Sequence, residues 1–262
     1  MVGIQMKNVA RKFGVVTAVT AALLLGGCQN KSASLDADPL NTASTTTVGP
    51  SFKKTEALSK QWKSDPTQVN VAIAYATSLD QLGQKTTQID VLRSTASQTL
   101  GDAQAQSQLG RALLSAGDAE GATNTLTRAV ELNPRDAQSL SVLGASLDQQ
   151  TKHAEAREKY QAALAIAPDD VSIMNNLAMS YSLQGKLPEA EAILRKAAAH
   201  PKAKSTPRIR QNLALVVGLQ GRFDEAKQIA SEDLPPDQVA ANMAYLQQML
   251  ASNNTWAKLK EG

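Results

Sequence analysis

The sequence predicts an all-α solenoid built from stacked pairs of helices. One residue pattern recurs every 34 residues over most of the chain, which is typical of repeat architectures. No stretch alternates apolar and polar residues as a half-buried strand would. The 262 residues are 42% hydrophobic, so the chain is long and apolar enough to form a core, and disorder of the whole chain is excluded.

Residues 1–27 have the parts of a bacterial signal peptide. An apolar run from Phe13 to Leu25 follows a basic start made of Lys7, Arg11 and Lys12. As a helix this run is about 20 Å long, which is too short for a bilayer core of ~30 Å. The segment is therefore predicted to be a signal sequence and not a membrane span.

The single cysteine, Cys28, directly follows Leu25-Gly26-Gly27. This ending resembles the lipobox of bacterial lipoproteins, which implies that Cys28 is acylated on its sulfur and its amine and begins the mature protein. Gln29 replaces the aspartate that retains lipoproteins in the inner membrane, so the resemblance implies a periplasm-facing anchor in the outer membrane of a Gram-negative bacterium. The alternative is an ordinary secretory peptide that ends near a buried cysteine. Both Met1 and Met6 are candidate translation starts.

Residues 28–50 are predicted to form a lipidated, disordered tether, because they are rich in Ser, Thr, Asp and Pro and carry few large apolar groups. As a coil the tether spans roughly 25 Å. Removing the three basic leader residues from the 27 in the chain leaves 24 basic against 24 acidic side chains. A neutral, aromatic-poor mature chain argues against nucleic-acid binding.

A capping helix over 51–66 is expected to precede about five repeats within 67–236, and a second capping helix with a tail is expected over 237–262. The repeats are placed at 69–102, 103–136, 137–170, 171–204 and 207–238. Gln88 and Asp233 stand where the pattern has alanine, and two residues are inserted near 201–206.

The third repeat shows how the 34-residue pattern corresponds to two packed helices. Leu143-Gly144 and Leu147 of its first helix are followed by Ala156, Tyr160 and Ala163 of its second helix, and Pro168 closes the unit. This order is similar to the tetratricopeptide repeat, which implies a right-handed superhelix. Small residues are expected where the paired helices cross, aspartates 136 and 170 are expected to cap helices, and positive φ is expected at glycines 83, 117, 185 and 221.

Tetratricopeptide arrays bind proteins along the face built from their first helices, so the resemblance implies a groove here. The predicted groove is polar in the first three repeats and apolar afterwards, where it would suit an amphipathic helix. The residues proposed to contact a partner are Met179, Leu183, Leu215, Leu219, Tyr245, Met249, Asn176, Asn212 and Asn242. The alternatives are that the apolar members pack between helices and that the asparagines satisfy local groups.

A basic cluster surrounds the insertion and offers a possible contact with lipid headgroups or an acidic loop. Its members are Lys196, Lys202, Lys204, Arg208 and Arg210. The alternative is a solvated connection between repeats. We expect His153 and His200 to be exposed, and glutamates such as Glu191 to be solvated. Enzyme motifs, metal-ligand spacings and cofactor motifs are absent from the sequence, so no catalytic residue, metal or cofactor is predicted.

The segment Leu234-Pro235-Pro236-Asp237-Gln238, together with residues 240–246, resembles the end of the TadD family of lipoproteins from tight-adherence (Flp-type) pilus systems. The resemblance implies a non-enzymatic pilus-assembly factor that helps a secretin to localise or multimerise, as a pilotin does. The alternatives are a pilotin of another type IV pilus, a component of outer-membrane protein insertion, and a scaffold that regulates cell-wall hydrolases.

Overall fold

A computed structural model describes the backbone of residues 50–261 and the side chains of residues 52–251. These residues fall in one compact unit, Val48–Gly262. The predicted signal peptide, Cys28 and most of the tether lie outside the described residues and stay predictions.

Residues 50–261 form helices connected by short turns, without a strand in that range. The predicted all-α fold is therefore confirmed. In chain order the α-helices are α1 Pro50–Ser64, α2 Val69–Gln81, α3 Lys85–Gln98, α4 Ala103–Ser115, α5 Ala119–Leu132, α6 Ala137–Gln149, α7 His153–Ile166, α8 Val171–Leu183, α9 Leu187–Ala199, α10 Pro207–Leu219, α11 Phe223–Ala230 and α12 Pro236–Glu261. A 3₁₀ helix, Pro201–Ser205, lies between α9 and α10.

The turn inside each helical pair requires a left-handed residue. The four predicted glycines have φ between 72° and 88°, so that prediction is confirmed. The α6–α7 turn has Thr151 at the same place, with φ of 62°. A β-branched residue is disfavoured in this conformation because its Cβ approaches the backbone. The sequence, which has no glycine here, did not predict that this turn would also have a positive φ.

Paired helices cross at small residues. A Cβ added to Gly110 would lie 2.5 Å from Cγ of Leu126, and one added to Gly144 would lie 2.8 Å from Cε1 of Tyr160. The alanines opposite the crossing, Ala122, Ala156, Ala190 and Ala226, are all fully buried. The expected close approach is confirmed, and larger residues beside each crossing fill the remaining space.

Aspartates begin several first helices. Asp136 accepts a hydrogen bond from the backbone N–H of Gln138 at 3.0 Å, and Asp170 accepts from those of Ser172 and Ile173 at 2.9 and 3.1 Å. Both predicted caps are confirmed. Asp102 caps α4 in the same way. These bonds satisfy backbone donors that have no partner inside the helix.

The N-terminal helix α1 packs on α2. Its Trp62 ring lies 5.9 Å from the ring of Tyr75, and the indole N–H donates to Thr95 Oγ1 of α3 at 3.0 Å. Leu58 and Trp62 cover a small cluster of buried residues in α2 and α3. Helix α1 thus shields the apolar face at the N-terminal end of the described array.

The fifth pair differs from the others because α11 has only 8 residues, compared with 13 in α9. Beyond it, α12 packs on α10 and α11 with Val239, Met243 and Leu246 buried. Helix α12 therefore occupies the position of a first helix in a sixth pair, and it extends beyond Ala251 to Glu261.

Candidate protein-binding groove

The first helices of successive pairs form one continuous face. Each first helix from α2 to α10 contacts the next first helix, whereas within residues 50–261 successive second helices have few or no contacts with one another. First helices therefore lie closer together than second helices do. In a curved stack this places the first helices on the inner side, where a groove forms.

Two rows of equivalent residues run along this inner face. The first row is Thr77, Arg111, Ala145, Met179, Leu215 and Tyr245, and the second is Gln81, Ser115, Gln149, Leu183, Leu219 and Met249. In the second row the three polar residues are exposed and the three apolar residues are half-buried. The face therefore changes from polar to apolar between the third and fourth pairs.

The apolar end presents side chains to different degrees. Tyr245 is 42% exposed, while Met179, Leu183 and Leu219 are half-buried. Leu215 is buried at 4% exposure, so the structure removes it from the predicted contact surface. Leu215 is one of the buried residues of α10, and a charged residue there would disrupt packing before it affected a partner.

The predicted asparagine row is partly used inside the array. Asn176 donates its amide N–H to Ser141 Oγ at 3.2 Å, and Asn212 donates to Asn175 Oδ1 at 2.7 Å. Each bond joins one first helix to the preceding one. Asn242 is half-buried in α12. The side-chain N–H groups of Asn176 and Asn212 thus hold neighbouring repeats together, and an amide oxygen can in addition accept a hydrogen bond.

A buried carboxylate joins the third pair to the fourth. Asp148 accepts from Tyr160 at 3.0 Å and from Ser180 of α8 at 2.8 Å, and its Oδ1 lies 2.8 Å from Nδ1 of His153. His153 is buried, so the expectation that it is exposed was wrong. Burial first, and then the Asp148 charge, raise the pKa of Tyr160 above its ordinary value, which keeps the hydroxyl a donor.

A cleft of about 190 Å³ lies between the first and second pairs. Arg111 lines it, and its Nε is buried and has no hydrogen-bond partner within residues 52–251. Burial lowers the pKa of Arg111, and the Asp136 charge partly opposes that effect. Asp80 lines the same cleft, so a cation and an anion both face this polar end of the groove.

The basic cluster at the insertion divides into two parts. Lys196, Lys202, Lys204 and Arg208 are exposed. Arg210 instead donates to Asp233, with Nε 2.7 Å from Oδ2, and this ion pair removes it from the predicted patch. The pair also explains why Asp233 replaces the alanine of the other repeats. His200 is half-buried, and its Nδ1 accepts from the backbone N–H of Lys202 at 3.2 Å.

Glu191 joins the fourth pair to the fifth. Its carboxylate accepts from Arg195 and from Gln220 at 2.8 Å each, and from Arg222. Its side chain is only 13% exposed, so the expectation that it is solvated was wrong. Burial alone would raise the pKa of Glu191, but these hydrogen bonds outweigh burial and hold that pKa below its ordinary value.

Two further kinds of feature were sought in the described residues, a metal site and a membrane-spanning helix. Within residues 52–251 there is no group of His, Cys, Asp and Glu side chains arranged to hold a metal ion. None of the helices described here combines the length and the apolar character needed to span a bilayer.

Comparison with known proteins agrees with the geometry. Two family models, both described as tetratricopeptide repeat, match residues 107–171 and 149–204. The described helical array is a tetratricopeptide-repeat solenoid. Such repeats bind protein partners, so the class of protein that the fold defines is a protein-interaction scaffold. A comparison with curated proteins gave no significant match.

Solved structures share the fold. A thermophilic tetratricopeptide protein of Thermus thermophilus is 22% identical with a TM-score of 0.57, over 68% of this chain and 97% of that chain. The crystal structure of MamA is 24% identical with a TM-score of 0.52, over 61% of this chain and 93% of that chain. A chain of the APC/C hetero-tetramer Cut9-Hcn1 is 18% identical with a TM-score of 0.59, over 78% of this chain and 40% of that chain.

Proposed function

We propose that this protein is a lipid-anchored adaptor of the bacterial outer membrane that captures an amphipathic segment of a partner in its groove. The observation that carries the proposal is the change from polar to apolar side chains along the first helices. Tyr245 is the most exposed large apolar side chain of that face, and Met179 beside Leu183 and Leu219 gives the site a deformable wall. A partner helix with one apolar end fits this pattern.

The proposed partner is the secretin of a tight-adherence pilus. The support is in the sequence: the lipobox before Cys28 and the segment 234–246, which resembles the TadD family. Lipid anchoring at Cys28 would concentrate the groove at the membrane where a secretin assembles, and tethering of this kind raises effective concentration without new contacts. The protein would help the secretin to localise or multimerise and would catalyse no reaction.

The test is a matched pair of substitutions in α12. Tyr245→Glu places a charge on the groove face, and Gln247→Glu places the same charge on an exposed residue turned away from it. We expect Tyr245→Glu to reduce recovery of the secretin from solubilised envelopes about tenfold, as loss of an aromatic anchor does. Gln247→Glu should have no effect, and both variants should keep the wild-type melting temperature.

Identification of the bound partner distinguishes the alternatives. A β-barrel insertion component at the groove would support a role in outer-membrane protein insertion, and a cell-wall hydrolase would support enzyme regulation. Equal recovery of the secretin with Tyr245→Glu and with wild type would contradict the proposed groove contact.

A further inference from the structure

The insertion between the fourth and fifth pairs carries unusual charge. Residues 192–223 contain seven lysines and arginines and no acidic residue. Three of these, Arg195, Arg210 and Arg222, form ion pairs with carboxylates. The other four are exposed and form no ion pair within residues 52–251. We call these four, Lys196, Lys202, Lys204 and Arg208, the basic surface.

The backbone that presents the basic surface is tightly held. Ala203 is fully buried, its N–H donates to the His200 carbonyl at 2.8 Å, and its carbonyl accepts from the Thr206 N–H at 2.9 Å. Arg210, itself paired with Asp233, lies 3.5 Å from the same carbonyl. The contacts of Arg210 with Asp233 and with the inserted segment thus hold the backbone between Lys202 and Arg208 in place.

We propose that the basic surface docks on an anionic lipid bilayer. This inference goes beyond the groove contact, because it gives the solenoid a second, direct attachment to the membrane. It requires no partner protein. With the chain held near a membrane, this contact would also fix the direction in which the groove faces.

The chemistry of the side chains favours lipid over an acidic polypeptide. Arginine recognises carboxylates through two parallel hydrogen bonds, whereas lysine acts as a hydrated point charge. Here three of the four free cations are lysines, and the three arginines that pair with carboxylates do so inside the chain. Attraction to a charged bilayer needs neither a pocket nor a defined geometry.

Two carboxylates lie beside this surface and limit it. Asp169 and Asp170 line the same shallow cleft as Lys202. Asp170 is occupied, because it caps α8 and accepts from Gln138 at 2.8 Å. Asp169 is exposed and offsets part of the charge of Lys202. Lys196, Lys204 and Arg208 do not line that cleft.

Lysine labelling on vesicles tests the proposal. The full chain is bound to vesicles of phosphatidylcholine, alone or mixed with phosphatidylglycerol, and acetylation of each lysine is followed by mass spectrometry. We expect labelling of Lys196, Lys202 and Lys204 to slow about fivefold on the anionic vesicles at low salt, as attraction of each cation to the surface predicts. The exposed lysines 85 and 152 should not change, and high salt should abolish the effect.

Two outcomes would overturn the proposal. They are equal labelling rates on the two kinds of vesicle, whether both protect or neither does, and protection by polyglutamate in solution without protection by vesicles. The last would assign the surface to an acidic polypeptide. Neither of these outcomes involves the groove, so the groove proposal would stand or fall separately.

A charge-reversed variant gives an independent readout. Lys202→Glu with Lys204→Glu should remove the protection of Lys196 on anionic vesicles, while Lys85→Glu with Lys152→Glu should leave it unchanged. Both pairs substitute exposed residues, so both variants should keep the wild-type helical content. Continued protection of Lys196 in the first variant would contradict docking through this surface.

Discussion

At the level of single residues, the α6–α7 turn is the clearest exception to the repeat pattern. Thr151 has φ of 62°, in a place where four other pairs have glycine. A left-handed conformation costs an L-residue about 1–2 kcal/mol. Glycine avoids this cost, but its unfolded state is more flexible, which lowers the free energy of unfolding by ~0.5–1 kcal/mol.

Thr151→Gly is therefore expected to raise the free energy of unfolding by up to about 1 kcal/mol. The reverse change in the second pair, Gly117→Thr, has no such compensation and should lower the free energy by ~1–2 kcal/mol. Denaturant unfolding followed by circular dichroism measures both. A destabilised Thr151→Gly variant would show that the threonine side chain makes a contact worth more than its backbone strain.

Gly144 is the residue at which paired helices approach most tightly against backbone. A Cβ there would lie 3.0 Å from the carbonyl oxygen of Ala156 as well as near Tyr160. Gly144→Ala should lower the free energy of unfolding by about 1–3 kcal/mol, the usual cost of overpacking. Gly101→Ala is the control, because a Cβ there meets nothing within 4 Å. Equal stability of the two variants would contradict the crossing geometry.

The residues that fix turns, helix crossings and helix caps were more predictable than the polar contacts between helices. The turn glycines, the crossing residues and the caps at Asp136 and Asp170 follow from local geometry that repeats every 34 residues. The bonds of Asp148 to His153 and Ser180 could not be predicted, because they depend on which side chains of different helices meet. Residues such as His153 look exposed when only their own turn is considered.

At the level of helical elements, Glu191 connects α9 to the turn after α10. Its folded-state pKa is depressed, so the stability it contributes is present above its ordinary pKa of about 4.5 and is lost as the pH falls through the lower folded value. Glu191→Gln should lower the free energy of unfolding by about 1–2 kcal/mol at neutral pH.

The difference between wild type and Glu191→Gln should shrink as the pH falls below the ordinary pKa of glutamate, because the wild-type carboxylate then becomes protonated. Urea unfolding over a pH series measures this. Glu158→Gln, a change at an exposed residue of α7, should show no such trend. A difference that stays constant with pH would mean that Glu191 acts through shape and not through charge.

The sequence showed where the fifth repeat departs from the 34-residue pattern, but it did not show the structural cause of these departures. Asp233 in place of alanine and the insertion near residue 201 turn out to belong together, since Arg210 joins Asp233 to the inserted 3₁₀ helix. A repeat pattern shows where a unit differs. It does not show which distant residue compensates, because that residue belongs to another helix.

At the level of the whole molecule, the solenoid follows from pairs that cannot bury their faces alone. This was predictable, because the same pattern recurs in successive units. The inner face was predicted in outline, and its change from polar to apolar residues is retained in the structure. Leu215 was misplaced, because the repeat register assigns it to the inner face but does not show how deeply the side chain is buried.

The central claim is that partners bind on the inner face near α8, α10 and α12. A photoreactive amino acid placed singly at Leu183, Leu219 or Tyr245, and at the outer-face residues Asn124, Gln161 and Gln228, tests it most directly in intact envelopes. We predict crosslinks to one partner protein from the inner set alone. Crosslinks to that partner from the outer set, with none from Tyr245 and its neighbours, would contradict the account.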